Sequence, residues 1–80
     1  MDNRSFKRKY ELLQVLLIEA RKGKSLSQVD LAKKLARPQS FVSKYEIGER
    51  RLSLIEFLEV TRAIGINPKE IIDKLEREDF

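Results

Sequence analysis

The sequence predicts an all-α fold of five helices and no strand, and three observations carry that expectation. All three glycines, Gly23, Gly48 and Gly65, stand where a helix should end. Both prolines, Pro38 and Pro68, stand where a helix should begin. Between these marks the apolar residues recur at helical spacing, the pattern of a helix with one buried face. Glycine just past a helix tolerates the left-handed conformation that closes it. Proline at a helix start gives up only an N–H that would have no intrahelical partner.

The elements follow in order. Residues 1–9 read as a basic arm, because Arg4, Lys7, Arg8 and Lys9 crowd the start of the first helix. Positive charge there opposes the helix dipole, so the start should fray. A basic arm serving an anionic partner and a plain charged chain end are both compatible with this composition. In the first helix Tyr10, Leu13, Leu17 and Ala20 form one stripe. Leu12, Val15, Leu16 and Ile18 are surplus, free to close the core or serve a subunit contact. The second helix, about 28–35, starts at Ser27 with Asp30 three residues on, and Leu31, Ala32 and Leu35 mark its inner side. Residues 36–38 turn into a third helix, about 39–45. Ser53 and Glu56 have capping-box spacing at the start of the fourth helix, where Leu54, Phe57, Leu58 and Ile64 should face inward. Asn67 and Glu70 mark the start of the fifth, about 68–78, with Ile71, Ile72 and Leu75 inward.

Eighty residues make one small domain, taken as 1–80, with 38% charged and 41% hydrophobic residues. There is no cysteine and no histidine, so neither a disulfide nor a zinc site is expected. The longest apolar run, Val15 to Ile18, falls far short of the roughly 18 to 20 residues of a membrane span. A cytoplasmic setting is the expectation. Charge is uneven. Residues 1–51 hold 13 Lys/Arg against 6 Asp/Glu, and residues 52–80 hold 4 against 7. The basic part suits an anionic partner, and the acidic part suits water or another protein. No Gly-rich phosphate loop and no base beside a serine is present, so no enzyme and no cofactor are expected.

Residues 26–52 carry the functional signal. Two short helices joined by a three-residue turn can lay one helix in the DNA major groove and brace it with the other. In the third helix Val42 is the clear inward residue, and Gln39, Ser40, Ser43 and Lys44 face out. That outer face has no acid, and all four side chains can donate hydrogen bonds. Glutamine suits adenine, lysine suits guanine, and serine can bond several base edges. Gln39, Ser40 and Lys44 are therefore candidate base contacts. Phe41 could touch a thymine methyl or pack on the turn. Ser27, Gln28, Ser43, Arg50 and Arg51 are candidate phosphate contacts, which position a protein without selecting sequence.

The segment resembles the helix-turn-helix family of phage repressors, Cro proteins and XRE-like bacterial regulators. The resemblance rests on Leu26-Ser27-Gln28, Leu31-Ala32, Gln39-Ser40, Val42-Ser43-Lys44, Glu46, Gly48 and Arg50-Arg51, and it extends from Leu13 to about Ile72. It implies a five-helix bundle of the lambda-repressor-like type that binds double-stranded DNA, generally as a dimer. It also implies that Gln28 both meets a phosphate and braces helix three. Arg21 and Glu46 would form a partly buried salt bridge. Two departures stand out. Ala36 occupies the turn position where the family usually has glycine, and Arg37 is a poor cap for helix three.

The expectation is a homodimeric, sequence-specific transcriptional repressor. The competing one is a protein-interaction module, such as an antitoxin or an accessory subunit of a toxin–antitoxin or phage system. Its partner would dock on the acidic final segment, from Glu70 to Phe80.

Overall fold

Leu17, Leu31, Val42 and Val60 come from four different helices and are each at most 1% exposed. Around them the chain folds as α1 (Asn3–Gly23), α2 (Gln28–Leu35), α3 (Gln39–Ile47), α4 (Leu54–Ile64) and α5 (Pro68–Arg77). The computed structural model describes residues 3–77. Among them there is no strand. α1 is the spine, and α3, α4 and α5 all pack on it, while α2 packs on α3 and α4. At 1.5 Å per residue its 21 residues span about 31 Å, and the whole molecule is 37 Å long.

Local chemistry sets the boundaries. At α2 the Ser27 hydroxyl accepts from the Asp30 N–H at 3.0 Å, and Asp30 Oδ2 accepts from the Ser27 N–H at 3.0 Å. At α4 Ser53 and Glu56 make the same reciprocal pair, at 3.1 and 2.9 Å. Each pair satisfies two N–H groups that have no intrahelical partner. Asn67 caps α5 differently. Its side-chain oxygen accepts from Lys69 N–H at 2.9 Å, and Glu70 N–H bonds the Asn67 carbonyl at 3.1 Å. Gly48 and Gly65 close α3 and α4 with φ of 86° and 92°.

Several expectations are corrected. Residues 3–9 are not an arm but the first turns of α1. The adverse charge is offset in part by Lys9, whose ammonium donates to the Leu75 carbonyl at 3.0 Å, near the end of α5. Gly23 does not take the left-handed conformation; Ser25 does, with φ 57°. The inner face of α4 is Phe57, Val60, Thr61 and Ile64, a full helical period. Leu54 and Leu58, expected inward, lie off that face and are exposed, as is Ile72 on α5. Tyr10 is also exposed. Phe80 lies outside the described residues.

One strong constraint ties the helices together. Arg21 Nε donates to Glu46 Oε2 at 2.7 Å and Nη2 to Oε1 at 3.1 Å, so the α1 guanidinium forks onto an α3 carboxylate. Both side chains are at least nine-tenths buried. Arg21 Nη1 also donates to the Leu26 carbonyl at 2.8 Å, which fixes the loop before α2.

Two predictions follow from this architecture. Arg21→Met or Glu46→Leu alone should each lower unfolding free energy by about 3–5 kcal/mol, since a buried charge loses its partner. The double substitution should lose less than either single change, as read by urea denaturation. Ala36 sits at φ 55°, ψ 42°. Ala36→Gly should therefore raise stability by about 0.5–1 kcal/mol, the left-handed strain relieved less the extra freedom glycine has when unfolded. The urea midpoint should rise.

Candidate nucleic-acid interface

The turn between α2 and α3 is built on a strained residue. Ala36 closes α2 in the left-handed conformation, its N–H reaching the Lys33 carbonyl at 3.1 Å, and Arg37 N–H bonds the Ala32 carbonyl at 3.0 Å. Ala36 thus takes the left-handed conformation that a glycine would adopt without strain. Pro38 then stands as the N-cap of α3 with extended backbone and no side-chain cap.

Four residues of α3 face inward, not one. Phe41, Val42, Tyr45 and Glu46 are buried. Phe41 and Tyr45 meet edge to face, with centroids 5.6 Å apart. The Tyr45 hydroxyl has no hydrogen-bond partner among the described residues, and burial pushes its pKa well above the usual phenol range. This corrects the expectation for Phe41 as a base contact. At 8% exposure its ring belongs to the core. The Arg37 and Arg50 guanidiniums lie 4.5 and 4.8 Å from its centroid and cover what remains.

The opposite face is as the outer-face chemistry required. Gln39, Ser40 and Lys44 are exposed, and Ser43 is half-buried. The Ser43 hydroxyl donates to the Ser40 carbonyl at 3.3 Å. The only carboxylate on α3, Glu46, is turned inward against Arg21. Gln28 connects the two helices. Its amide nitrogen donates to Glu46 Oε1 at 2.8 Å, and its amide oxygen accepts from Gln39 Nε2 at 3.4 Å. A chain of contacts thus runs from α1 through Glu46 and Gln28 to the exposed amide of Gln39.

The flanking cations differ from one another. Arg50 is a half-buried strut. It donates to Glu56 Oε1 at 2.9 Å and to Oε2 at 2.7 Å while stacking on Phe41. Its charge is already matched by a carboxylate, which leaves it less free to meet an anion than its place in a basic loop suggests. Arg51 is exposed, with its guanidinium 3.9 Å over the Tyr10 ring. At the start of α2, Ser27 is exposed beside the Asp30 carboxylate. Bonds from the Ser27 backbone and hydroxyl side hold Asp30 ionised, below the usual carboxylate range.

The sequence reading gives three contributors other roles. Glu56 was assigned only to its cap, Arg37 only to a poor cap, and Tyr10 to the core. Arg37 and Phe41 stand four residues apart, which is a usable signal on a helix start. Nothing in the spacing of Arg50 and Glu56, or of Tyr10 and Arg51, marks those pairs.

The Arg50 guanidinium, with the Ser53 N–H beside it, holds Glu56 far down, to about 2 against an ordinary 4.5. A depressed carboxylate stabilises the fold above its unfolded pKa and ceases to as pH falls through its folded one. Glu56→Gln should therefore be less stable than the parent above about pH 4.5, and the gap should close between pH 4.5 and 2. Urea denaturation of both proteins across that range is the measurement.

The comparisons with known proteins agree with this geometry. The family model described as Helix-turn-helix matches residues 17–71. Among solved structures, an XRE-family like protein from Pseudomonas syringae pv. tomato str. DC3000 is 48% identical, with a TM-score of 0.86. That match covers 89% of this chain and 87% of the other. No curated protein matches. Among the described residues no helix is long and apolar enough to cross a membrane. With five helices in this arrangement, an acid-free outer face on α3 and the Arg21–Glu46 fork behind it, the chain belongs to the XRE family of helix-turn-helix proteins.

Proposed function

We propose that this protein is a sequence-specific, double-stranded DNA-binding transcriptional regulator, a homodimeric repressor that reads the major groove with α3. The observation that carries the proposal is the outer face of α3. It presents one amide, two hydroxyls and one ammonium, while its single carboxylate is turned into the core. A nine-residue helix is about 13 Å long and suits a groove about 12 Å wide. Gln39 and Ser40, at its N-terminal end, are the deepest base contacts. Lys44 follows one turn later.

Phosphates flank this helix in the proposal. Ser27 can donate its hydroxyl proton, Gln28 keeps one amide hydrogen, and Ser43 meets the backbone from the side. Arg51 supplies the exposed charge, and Arg50 shapes the loop that carries it. Two copies would place their α3 helices on half-sites about 34 Å apart. Ile47, Leu54, Ile55 and Leu58 are exposed apolar residues at the end of α3 and the start of α4. They favour association with a second copy, since such a cluster gains by leaving water. A regulator of this kind works in the cytoplasm, where a bacterial or phage genome is read.

Selection of bound sites from random duplex DNA tests the proposal. It should recover two-fold-related half-sites, with affinity falling steeply as salt rises. Lys44→Ala should relax preference at one position per half-site, at a cost of about 1–3 kcal/mol. Recovery of no enriched sequence, or flat salt dependence, would favour the protein-interaction alternative.

A further inference from the structure

The match to the family model starts at residue 17, yet α1 starts at Asn3, so about four helical turns precede the matched region. Those turns are not idle. Their side toward the loop between α3 and α4 encloses a cleft of about 260 Å³. Lys7, Tyr10, Glu11 and Gln14 line it from α1, and Gly48 and Arg51 line it from the loop. Gly48, at φ 86°, turns the chain into this loop, and the Gln14 side-chain amide lies against it. Tyr10 stays 40% exposed, spending one ring face on the Arg51 guanidinium. That stack holds a cationic fork at the mouth of the cleft instead of letting it wander in water. Arg50 also borders the cleft, but Glu56 matches its charge. Lys7 and Arg51 against Glu11 leave one positive charge, the complement of one phosphodiester.

We propose that this cleft seats a backbone phosphodiester of bound DNA, gripped by Lys7 and Arg51, with Tyr10 positioning the Arg51 guanidinium. The first turns of α1 thereby carry the footprint beyond the two-helix reading unit. The inference rests on the DNA-binding function proposed above and adds to it Lys7 and Tyr10, which lie outside the family match, as partners of Arg51 at one phosphate.

The test is a set of DNA titrations at several salt concentrations, on a selected duplex and an unrelated one. The proteins are wild type, Lys7→Ala, Arg51→Ala, Tyr10→Phe, Tyr10→Leu and the Tyr10→Leu/Arg51→Ala double variant, with folding checked by circular dichroism. Lys7→Ala and Arg51→Ala should each flatten the log–log salt slope by about 0.9 on both duplexes, the loss of one phosphate. Tyr10→Leu should weaken binding roughly two- to fivefold, the strength of an exposed cation–π contact. Tyr10→Phe should restore it, and Tyr10→Leu should add nothing once Arg51 is gone. A steep wild-type slope left unchanged by Lys7→Ala and Arg51→Ala would overturn the site. Equal damage from Tyr10→Leu with and without Arg51 would overturn the positioning role. Absence of salt-dependent DNA binding by the wild type would instead overturn the function on which the site rests. Inorganic phosphate, followed by amide shifts over residues 7–14 and 48–52, then judges the cleft alone. Shifts abolished by Arg51→Ala would keep it as a seat for free phosphate, and no shifts would remove it.

Discussion

The fork of Arg21 on Glu46 is the constraint on which the presentation of α3 depends. A helix of nine residues is too short to hold itself in water, because nucleation costs more than so few hydrogen bonds return. It must be held by its neighbours. Val42 does this by apolar contact, which is strong but tolerates rotation about the helix axis. The fork does not tolerate it. Two parallel N–H donors on one carboxylate fix direction as well as distance. Since Glu46 lies on the side of α3 opposite Ser40 and Lys44, fixing one face fixes the other. The same guanidinium holds the Leu26 carbonyl, and Gln28 then reaches the same carboxylate from α2. Four segments of chain converge on one buried charge pair.

Burying that pair carries a desolvation penalty that Coulomb attraction alone need not repay. Apolar residues of similar volume could give comparable stability. What they would lack is the register. Both carboxylate oxygens are occupied, one by Arg21 Nε and the other by Arg21 Nη2 and Gln28, so a rotation of α3 leaves charged atoms unpaired in the core. The Arg21 pKa is pushed further up by its bonds to Glu46, so the fork is insensitive to pH on the cationic side. The strained Ala36 belongs to the same logic. The left-handed turn sets how α3 leaves α2, and the two helices it joins hold an alanine there at some cost in stability.

Most of the fold was legible because its signals are local. Ser27 and Ser53, Gly48 and Gly65, and the two prolines act through bonds within four residues, and each lies at the helix end its chemistry marks. The inner faces were less legible. Apolar period locates a stripe but does not say where a neighbour stops covering it, so Leu54 and Leu58 read as core and are exposed. Phe41 is the converse case. On a helix with only nine residues the buried arc is wide, and the two arginines that cover the ring come from the turn before and the loop after. The outward set Gln39, Ser40 and Lys44 was legible because those side chains have no reason to be buried.

The arginines show why cation counting from sequence misleads about an anion-binding surface. Arg37, Arg50 and Arg51 look alike along the chain. In the fold Arg37 and Arg50 face Glu59 and Glu56 and enclose an aromatic ring, while Arg51 leaves the cluster and crosses to α1. A guanidinium already bound to a carboxylate must exchange that partner to take a phosphate, and the gain is the difference of two similar bonds. One stacked on a ring keeps every N–H edge free, because stacking uses only its face. The difference between a cation that shapes a loop and one that can meet a phosphate therefore lies in which surface of the guanidinium its neighbour occupies. That is a tertiary property, set by α1 and α4 and not by the basic loop itself.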